Sequence, residues 1–263
     1  MSSEPLVLTT RHDGVLEITL NRPASGNALN PELAAELAEI ANRCVGDTSI
    51  RAVIVTGAGR MFCAGGDLSS FASGSHGTHA LLLSITGGVH AYISRMTRMN
   101  APVISAVNGM AAGGGFSLAI SGDLILGAES SKYLVAYTNA GLSPDASSSW
   151  FLPRLVGHAR ASELMLTNRI LSAEEACDWG LINRVVSDTD LMDEARKLAG
   201  SLAKGPTRSF GTVKRLLADS FTNGLETQME HEARGVAEAS VSRDGREGVS
   251  AFLEKRKPTF VGE

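Results

Sequence analysis

Aromatic residues are scarce, 5% of 263 positions, so a site walled by many rings is not expected. The three cysteines, Cys44, Cys63 and Cys177, form no CxxC pair and no metal-ligand spacing. Scattered thiols in an odd number point to a reducing compartment. No apolar run reaches membrane-spanning length. The start, MSSEPLVLTT, has no apolar signal core and no arginine run, and Val261-Gly262-Glu263 is not a peroxisomal tripeptide. A cytoplasmic protein with no membrane association is therefore expected. A basic excess is also missing: 24 Lys and Arg against 28 Asp and Glu leave a net charge of −4, which argues against a nucleic-acid partner. The last absence is local. No Asp or Glu occurs between Asp67 and Asp123, a span holding Arg95, Arg98, His76, His79 and His90. Either the segment makes room for an anionic ligand, or it is apolar core with short loops.

What is present is an ordinary globular composition, 43% hydrophobic and 20% charged, long enough for one large domain plus an appendage. Leu6–Thr10 and Val15–Leu20 read as strands around a His12-Asp13-Gly14 turn. Pro31 opens a helix through about Ala41, with Leu33, Leu37 and Ile40 on one face. Further strands are expected at Ala52–Thr56, Val103–Val107, Leu124–Leu126 and Tyr133–Val135, and helices at His79–Met99 and Gly113–Ser121. After Ser143 the pattern is helical, with one short strand at Arg184–Val186. Strand and helix alternate first, which implies parallel strands and crossover helices. Ala195–Ala203, Thr207–Ala218, Leu225–Ala239 and Gly245–Leu253 then form an arm with modest apolar stripes, expected to pack on a neighbouring subunit.

Two glycine-rich turns follow two of the strands. One is Thr56-Gly57-Ala58-Gly59-Arg60-Met61-Phe62-Cys63-Ala64-Gly65-Gly66-Asp67, the other Asn108-Gly109-Met110-Ala111-Ala112-Gly113-Gly114-Gly115. Such turns either pack helix against strand closely or face backbone N–H groups to a ligand. Two of them on adjacent strands can aim two N–H groups at one oxygen, the geometry of an oxyanion hole. A dinucleotide fingerprint fits less well, because Phe62 stands where the third glycine belongs and no acidic residue follows in the right region. There is no GxxxxGK[ST] phosphate loop, and Gly115-Phe116-Ser117-Leu118-Ala119 misses the last glycine of a hydrolase elbow.

Several pieces recur together: Asn21-Arg22-Pro23, Asn27-Ala28-Leu29-Asn30, Phe62-Cys63-Ala64-Gly65-Gly66-Asp67-Leu68, Val107-Asn108-Gly109, Gly113-Gly114-Gly115, Cys177-Asp178-Trp179-Gly180-Leu181-Ile182 and Phe252-Leu253-Glu254-Lys255-Arg256-Lys257-Pro258. In this order and spacing they resemble the crotonase superfamily, the enoyl-CoA hydratase/isomerase fold, over nearly the whole chain. The resemblance implies an α/β fold: a crotonase-type ββα spiral core over residues 1–200 and an α-helical trimerisation arm over 201–263. It implies an acyl-CoA substrate whose thioester oxygen is held by the amides of Gly66 and Gly114, with the N-terminus of the second turn's helix favouring the negative oxygen. Ala28, Ala64, Asp67 and Leu68 would contact CoA, which is part of the substrate. No metal or separate cofactor is implied, and a homotrimer or dimer of trimers is expected.

The chain departs from the hydratase pattern. Where a typical hydratase carries two glutamates, this sequence has Ser117 and Tyr137, neither of which replaces a carboxylate as acid or base on water near neutral pH. What remains is Asp145 in Ser143-Pro144-Asp145-Ala146-Ser147-Ser148-Ser149-Trp150. Taken alone it reads as a helix cap. The motif resembles the isomerase branches, Δ3,Δ2-enoyl-CoA isomerases and ring-oxepin isomerases of phenylacetate breakdown, in which one carboxylate here shuttles a proton between two carbons. Three alternatives stay open. One is hydration by atypical residues. Another is aryl-CoA dehalogenation with Asp145 as nucleophile and His90 as base, against which stand Gly66 and Tyr137 where ring-clamping aromatics belong. The third is an acyl-CoA-binding paralogue without catalysis. His90 and Tyr137 are expected among the substrate-lining residues, and His12, His76, His79, His158 and His231 on the surface or in loops.

Overall fold

In the computed structural model, residues 4–67 and 77–263 are described. Leu68 and His76, both singled out from the sequence, lie outside them. The elements are β1 (Val7–His12), β2 (Val15–Leu20), α1 (Pro31–Val45), β3 (Ala52–Gly57), β4 (Met61–Cys63), α2 (Gly77–Arg98), β5 (Val103–Val107), β6 (Met110–Ala112) and α3 (Gly114–Ile120). They continue with β7 (Leu124–Ala128), β8 (Lys132–Leu134), α4 (Ser148–Val156), α5 (His158–Thr167), β9 (Leu171–Ser172), α6 (Ala173–Asp178) and β10 (Arg184–Val186). The chain ends in α7 (Leu191–Ala203), α8 (Thr207–Asp219), α9 (Leu225–Ser240) and α10 (Arg243–Leu253).

The six-stranded sheet runs β1-β2-β3-β5-β7-β10. Only β1–β2 is antiparallel, closed by Asp13 and Gly14 with φ of 48° and 80°. The central strands are buried on both faces, which is why they read as β-branched runs rather than alternations. Alternate residues separate the two cores. Val53 and Val55 face the larger core with α1 and α2, while Ala52 and Ile54 face α7 with Ala195, Ala199 and Ala203. Alanines four apart let that helix lie close to the sheet, so Ala195–Ala203 packs on the chain's own core and not, as expected, on a neighbouring subunit. Helix α1 starts where Asn30 Oδ1 accepts from Leu33 N at 3.0 Å and Pro31 supplies a preset first turn. It crosses α2 closely at Gly88, where any Cβ would stand 2.5 Å from the Ala34 carbonyl oxygen.

A second sheet, β4-β6-β8-β9, was not expected from the sequence, although its β8 lies where a strand at Tyr133–Val135 was read. Its strands are two or three residues long, too short for a period to show, and two of them lie inside the glycine-rich turns. The single strand expected after Ser143 is likewise corrected, since β9 precedes β10. The arm is tied to the core by an ion pair at 2.7 Å between the enclosed ammonium of Lys214 and the partly exposed carboxylate of Asp123. Its outer faces carry exposed apolar side chains, among them Leu217, Phe221, Met229, Val236 and Phe252. Among the described residues no helix is long and apolar enough to cross a membrane.

Candidate active site

The second sheet brings the two glycine-rich turns together. Segments 28–29 and 65–67 pair as a one-residue parallel bridge: Leu29 N donates to Gly65 O at 2.7 Å and Asp67 N to Leu29 O at 2.9 Å. Gly65 has φ of 95°, and a Cβ there would lie 2.8 Å from Ala112 O and 3.3 Å from Gly114 N. Only glycine permits that approach, which sets the backbone of one turn against the other. The parallel bridge leaves the Gly66 N–H outside the ladder, and Gly114 opens α3, where first-turn N–H groups have no intrahelical acceptor. Among the described residues neither amide donates to a backbone carbonyl. Both glycines line one cavity of about 120 Å³.

The loop under the first turn is held by side chains. Buried Asn27 donates through Nδ2 to the carbonyls of Ala58, Met61 and Phe62 at 2.9, 2.8 and 3.2 Å, and its Oδ1 accepts from Arg22 N at 2.9 Å. Arg22 donates to the Ala28 carbonyl and pairs with Asp67 at 3.0 Å. Of the expected CoA contacts, Ala64 lines the cavity, while Ala28 and Asp67 stand beside it in this Arg22 network. Cys63 is buried, its thiol pushed up to about 12 by that burial, so it is a packed, protonated group.

Asp145 borders the same cavity as Gly66 and Gly114. Its Oδ1 lies 2.6 Å from His90 Nε2 on α2. The cap reading is corrected. The residue before α4 is Ser147, in the left-handed region and without a side-chain cap bond. Two successive left-handed residues, Ala146 at φ 51° and Ser147 at φ 66°, turn the chain between Asp145 and the helix. The Asp145 carboxylate meets His90 and does not cap the helix. Only its backbone carbonyl touches the helix, accepting from Ser148 N at 3.2 Å. Ser117 and Tyr137 surround that carbonyl rather than the carboxylate. Burial raises the Tyr137 phenol above its ordinary range, so the hydroxyl is neutral at physiological pH.

His90 has a more particular place than pocket lining. Its ring contacts Asp145 and borders a second cavity of about 670 Å³ among α2, α4 and α8, with Trp150 and Phe151 on its wall. The pair thus stands between the two cavities. The sequence reading missed the apolar lining of the inner one, notably Leu29, Leu82, Ile85, Val89 and Leu142. Leu82, Ile85 and Val89 recur at three and four residues just before His90, a helical face that was legible. Among the described residues no group of three His, Cys, Asp or Glu side chains could hold a metal ion.

A carboxylate and two free amides across a small apolar cavity can remove a proton beside a carbonyl and hold the charge that develops on its oxygen. The amide contribution is testable at Gly114. As first residue of α3 it is a position where proline suits a helix, and a Cβ there meets side-chain ends alone, Leu29 Cδ1 at 2.8 Å and Tyr137 OH at 3.9 Å. Gly114→Pro removes the N–H and is expected to lower kcat about 10²–10³-fold with little change in circular dichroism. Wild-type kcat in that variant would remove Gly114 from the site.

The family model for enoyl-CoA hydratase/isomerase matches residues 10–263. A 1,2-epoxyphenylacetyl-CoA isomerase from Escherichia coli K12 is 43% identical over 98% of both chains. A 4-chlorobenzoyl coenzyme A dehalogenase-2 from Arthrobacter sp. is 37% identical over 85% of this chain and 82% of that one. Among solved structures, an enoyl-CoA hydratase from Polaromonas sp. JS666 superposes with a TM-score of 0.92 at 34% identity, covering 97% of this chain and 99% of the other. The chain therefore belongs to the enoyl-CoA hydratase/isomerase family and has the crotonase fold.

Proposed function

We propose that this protein isomerises an enoyl-CoA thioester by a 1,3-proton shift. Asp145 takes a proton from the carbon next to the thioester carbonyl. The amides of Gly66 and Gly114 hold the enolate oxygen, and the same proton returns two carbons further on. The double bond moves into conjugation and nothing is consumed. The carrying observation is that, among the described residues, Asp145 is the single carboxylate bordering the cavity that Gly66 and Gly114 also line. Ser117 and Tyr137 carry only hydroxyls, and these hold the Asp145 backbone carbonyl. A proton shift needs no water, no second carboxylate, no metal and no redox cofactor, so CoA enters only as part of the substrate. The 43% identity to a protein named as an isomerase supports the reaction class.

One observation favours a second reading. The 2.6 Å contact between His90 Nε2 and Asp145 Oδ1 would also suit hydrolytic aryl-CoA dehalogenation. There the carboxylate bonds to the ring carbon, halide leaves, and His90 takes a proton from the water that hydrolyses the aryl ester. Against it, the inner cavity has Tyr137 as its one aromatic lining residue among those described.

Ultraviolet absorbance separates these. Isomerisation of a 3-enoyl-CoA creates a conjugated thioester band, and hydration of crotonyl-CoA removes one. Chloride release from 4-chlorobenzoyl-CoA reports the dehalogenase. A new band from 3-enoyl-CoA is expected. Its absence, with turnover in another assay, would reassign the reaction. Thermal stabilisation by acyl-CoAs without turnover in any assay would make this a binding paralogue.

We further read residues 1–200 as the acyl-CoA-binding core and 201–263 as an arm that assembles a homotrimer or a pair of trimers. The exposed apolar side chains of α8, α9 and α10 support this, because exposed faces of that kind mark association surfaces. A monomer in sedimentation equilibrium at micromolar concentration would overturn it.

A further inference from the structure

We infer that Ser117, Tyr137 and Ser148 are positioning residues for Asp145: their hydroxyls grip its backbone carbonyl and fix where its carboxylate stands. The inference rests on the reading of Asp145 as the reacting carboxylate.

The Asp145 carbonyl oxygen lies 2.9 Å from Ser117 Oγ, 3.0 Å from Ser148 Oγ and 3.2 Å from Tyr137 OH. The Ser148 backbone N–H adds a fourth donor at 3.2 Å. One carbonyl has two lone pairs, so the donors share it. Ser117 Oγ and Tyr137 OH are themselves 3.1 Å apart, which lets the phenol proton pass between Ser117 Oγ and the carbonyl. Because the Tyr137 phenol stays protonated, it serves here as a donor.

Three different elements supply these hydroxyls: α3, the turn after β8, and the first residue of α4. The contribution from α3 matters most. Ser117 stands on the same short helix as Gly114, so one rigid piece carries both an oxyanion donor and a clamp on the acid/base turn. The distance from carboxylate to amide is set through that helix. The turn needs such a hold. Ala146 and Ser147 both occupy the left-handed region, which residues with a Cβ resist and which persists only where the surroundings impose it. Beyond the carbonyl, the side chain itself is steadied by His90, which is half-exposed.

Geometry of this kind acts on kcat more than on KM, since misplacing a reacting group by about 1 Å costs roughly 10²-fold in rate. Tyr137→Phe keeps the ring, and Ser117→Ala removes a single oxygen. The double variant is expected to lose about 10²-fold in kcat for isomerisation, with KM within about twofold, and each single variant less. Ser148→Ala should fall in the same direction. A double variant with kcat within about twofold of wild type, or one whose whole loss is a raised KM, would overturn the inference.

A second readout needs no turnover. The downfield imidazole N–H resonance of His90 is assigned by its loss in His90→Gln. In the folded double variant it is expected to shift or broaden as the carboxylate moves. An unchanged resonance would overturn the inference. Should the wild type isomerise no 3-enoyl-CoA, the isomerase reading fails, and the His90 resonance still decides whether these hydroxyls position Asp145.

Discussion

Asp145→Asn is expected to lower kcat for double-bond isomerisation about 10²–10⁴-fold, the range a positioned acid/base contributes. The substitution is nearly isosteric. It leaves untouched the backbone carbonyl held by Ser117, Tyr137 and Ser148, so the turn and its two left-handed residues should persist. The amide can still meet His90, but it cannot take up a proton from carbon near neutral pH. The loss should therefore appear in kcat, while KM changes little. Absorbance of the conjugated product measures it. Equal activity in both proteins would mean that Asp145 serves the turn alone and the acid/base lies elsewhere.

Lys214→Met is expected to cost about 1–3 kcal/mol of stability, the usual penalty for leaving enclosed polar groups without their donor. Lys214 Nζ is enclosed, its side chain 7% exposed, and meets Asp123 Oδ2 at 2.7 Å and the carbonyls of Met96 and Ala101 at 3.0 and 3.1 Å. Those three contacts use all its protons and pin α8 to the end of α2 and the entry to β5. Methionine would leave two carbonyls unpaired and Asp123 without a cation, though Val103 N would still donate to it at 2.8 Å. At roughly 2–4 °C per kcal/mol for a chain of this size, melting should fall by about 5 °C. Replacing both residues, by Asp123→Asn with Lys214→Met, should recover much of the loss.

The loss should also depend on pH. Burial raises the Asp123 carboxyl above its ordinary value, while Lys214 pulls it back down. Without the lysine the folded-state value rises further. Between the unfolded and folded values the folded variant then binds more protons than the unfolded chain, so its stability increases as pH falls through that window. The gap in melting temperature between variant and wild type should narrow on acidification. A gap that widens would mean that Asp123 is not the group left uncompensated.

Much of this was legible without coordinates. The β-branched runs at Ala52–Thr56 and Val103–Val107, the apolar face beginning at Leu33 and the small-residue helix after Gly113 lie where local pattern placed them. Pairing of residues three or four apart, or two apart, is a property of a short stretch of chain, and a sequence states it directly. The shortage of carboxylates at the site was also legible, because the identities of Ser117 and Tyr137 need no fold to be read.

The rest depended on distance through space. The strands of the second sheet are too short to carry a period, yet they bring Gly65 against Gly114. His90 and Asp145 are separated by 55 residues, and their 2.6 Å contact follows from how α2 lies across the turn before α4. A capping signal in Ser-Pro-Asp was overridden by two left-handed residues that no propensity favours. The sequence by itself determined which groups were available and which faces would be buried, since those follow from side-chain chemistry and local period. Only the tertiary structure decided which groups meet, because contact between distant segments is set by the accumulated turns of the chain and the packing that holds them.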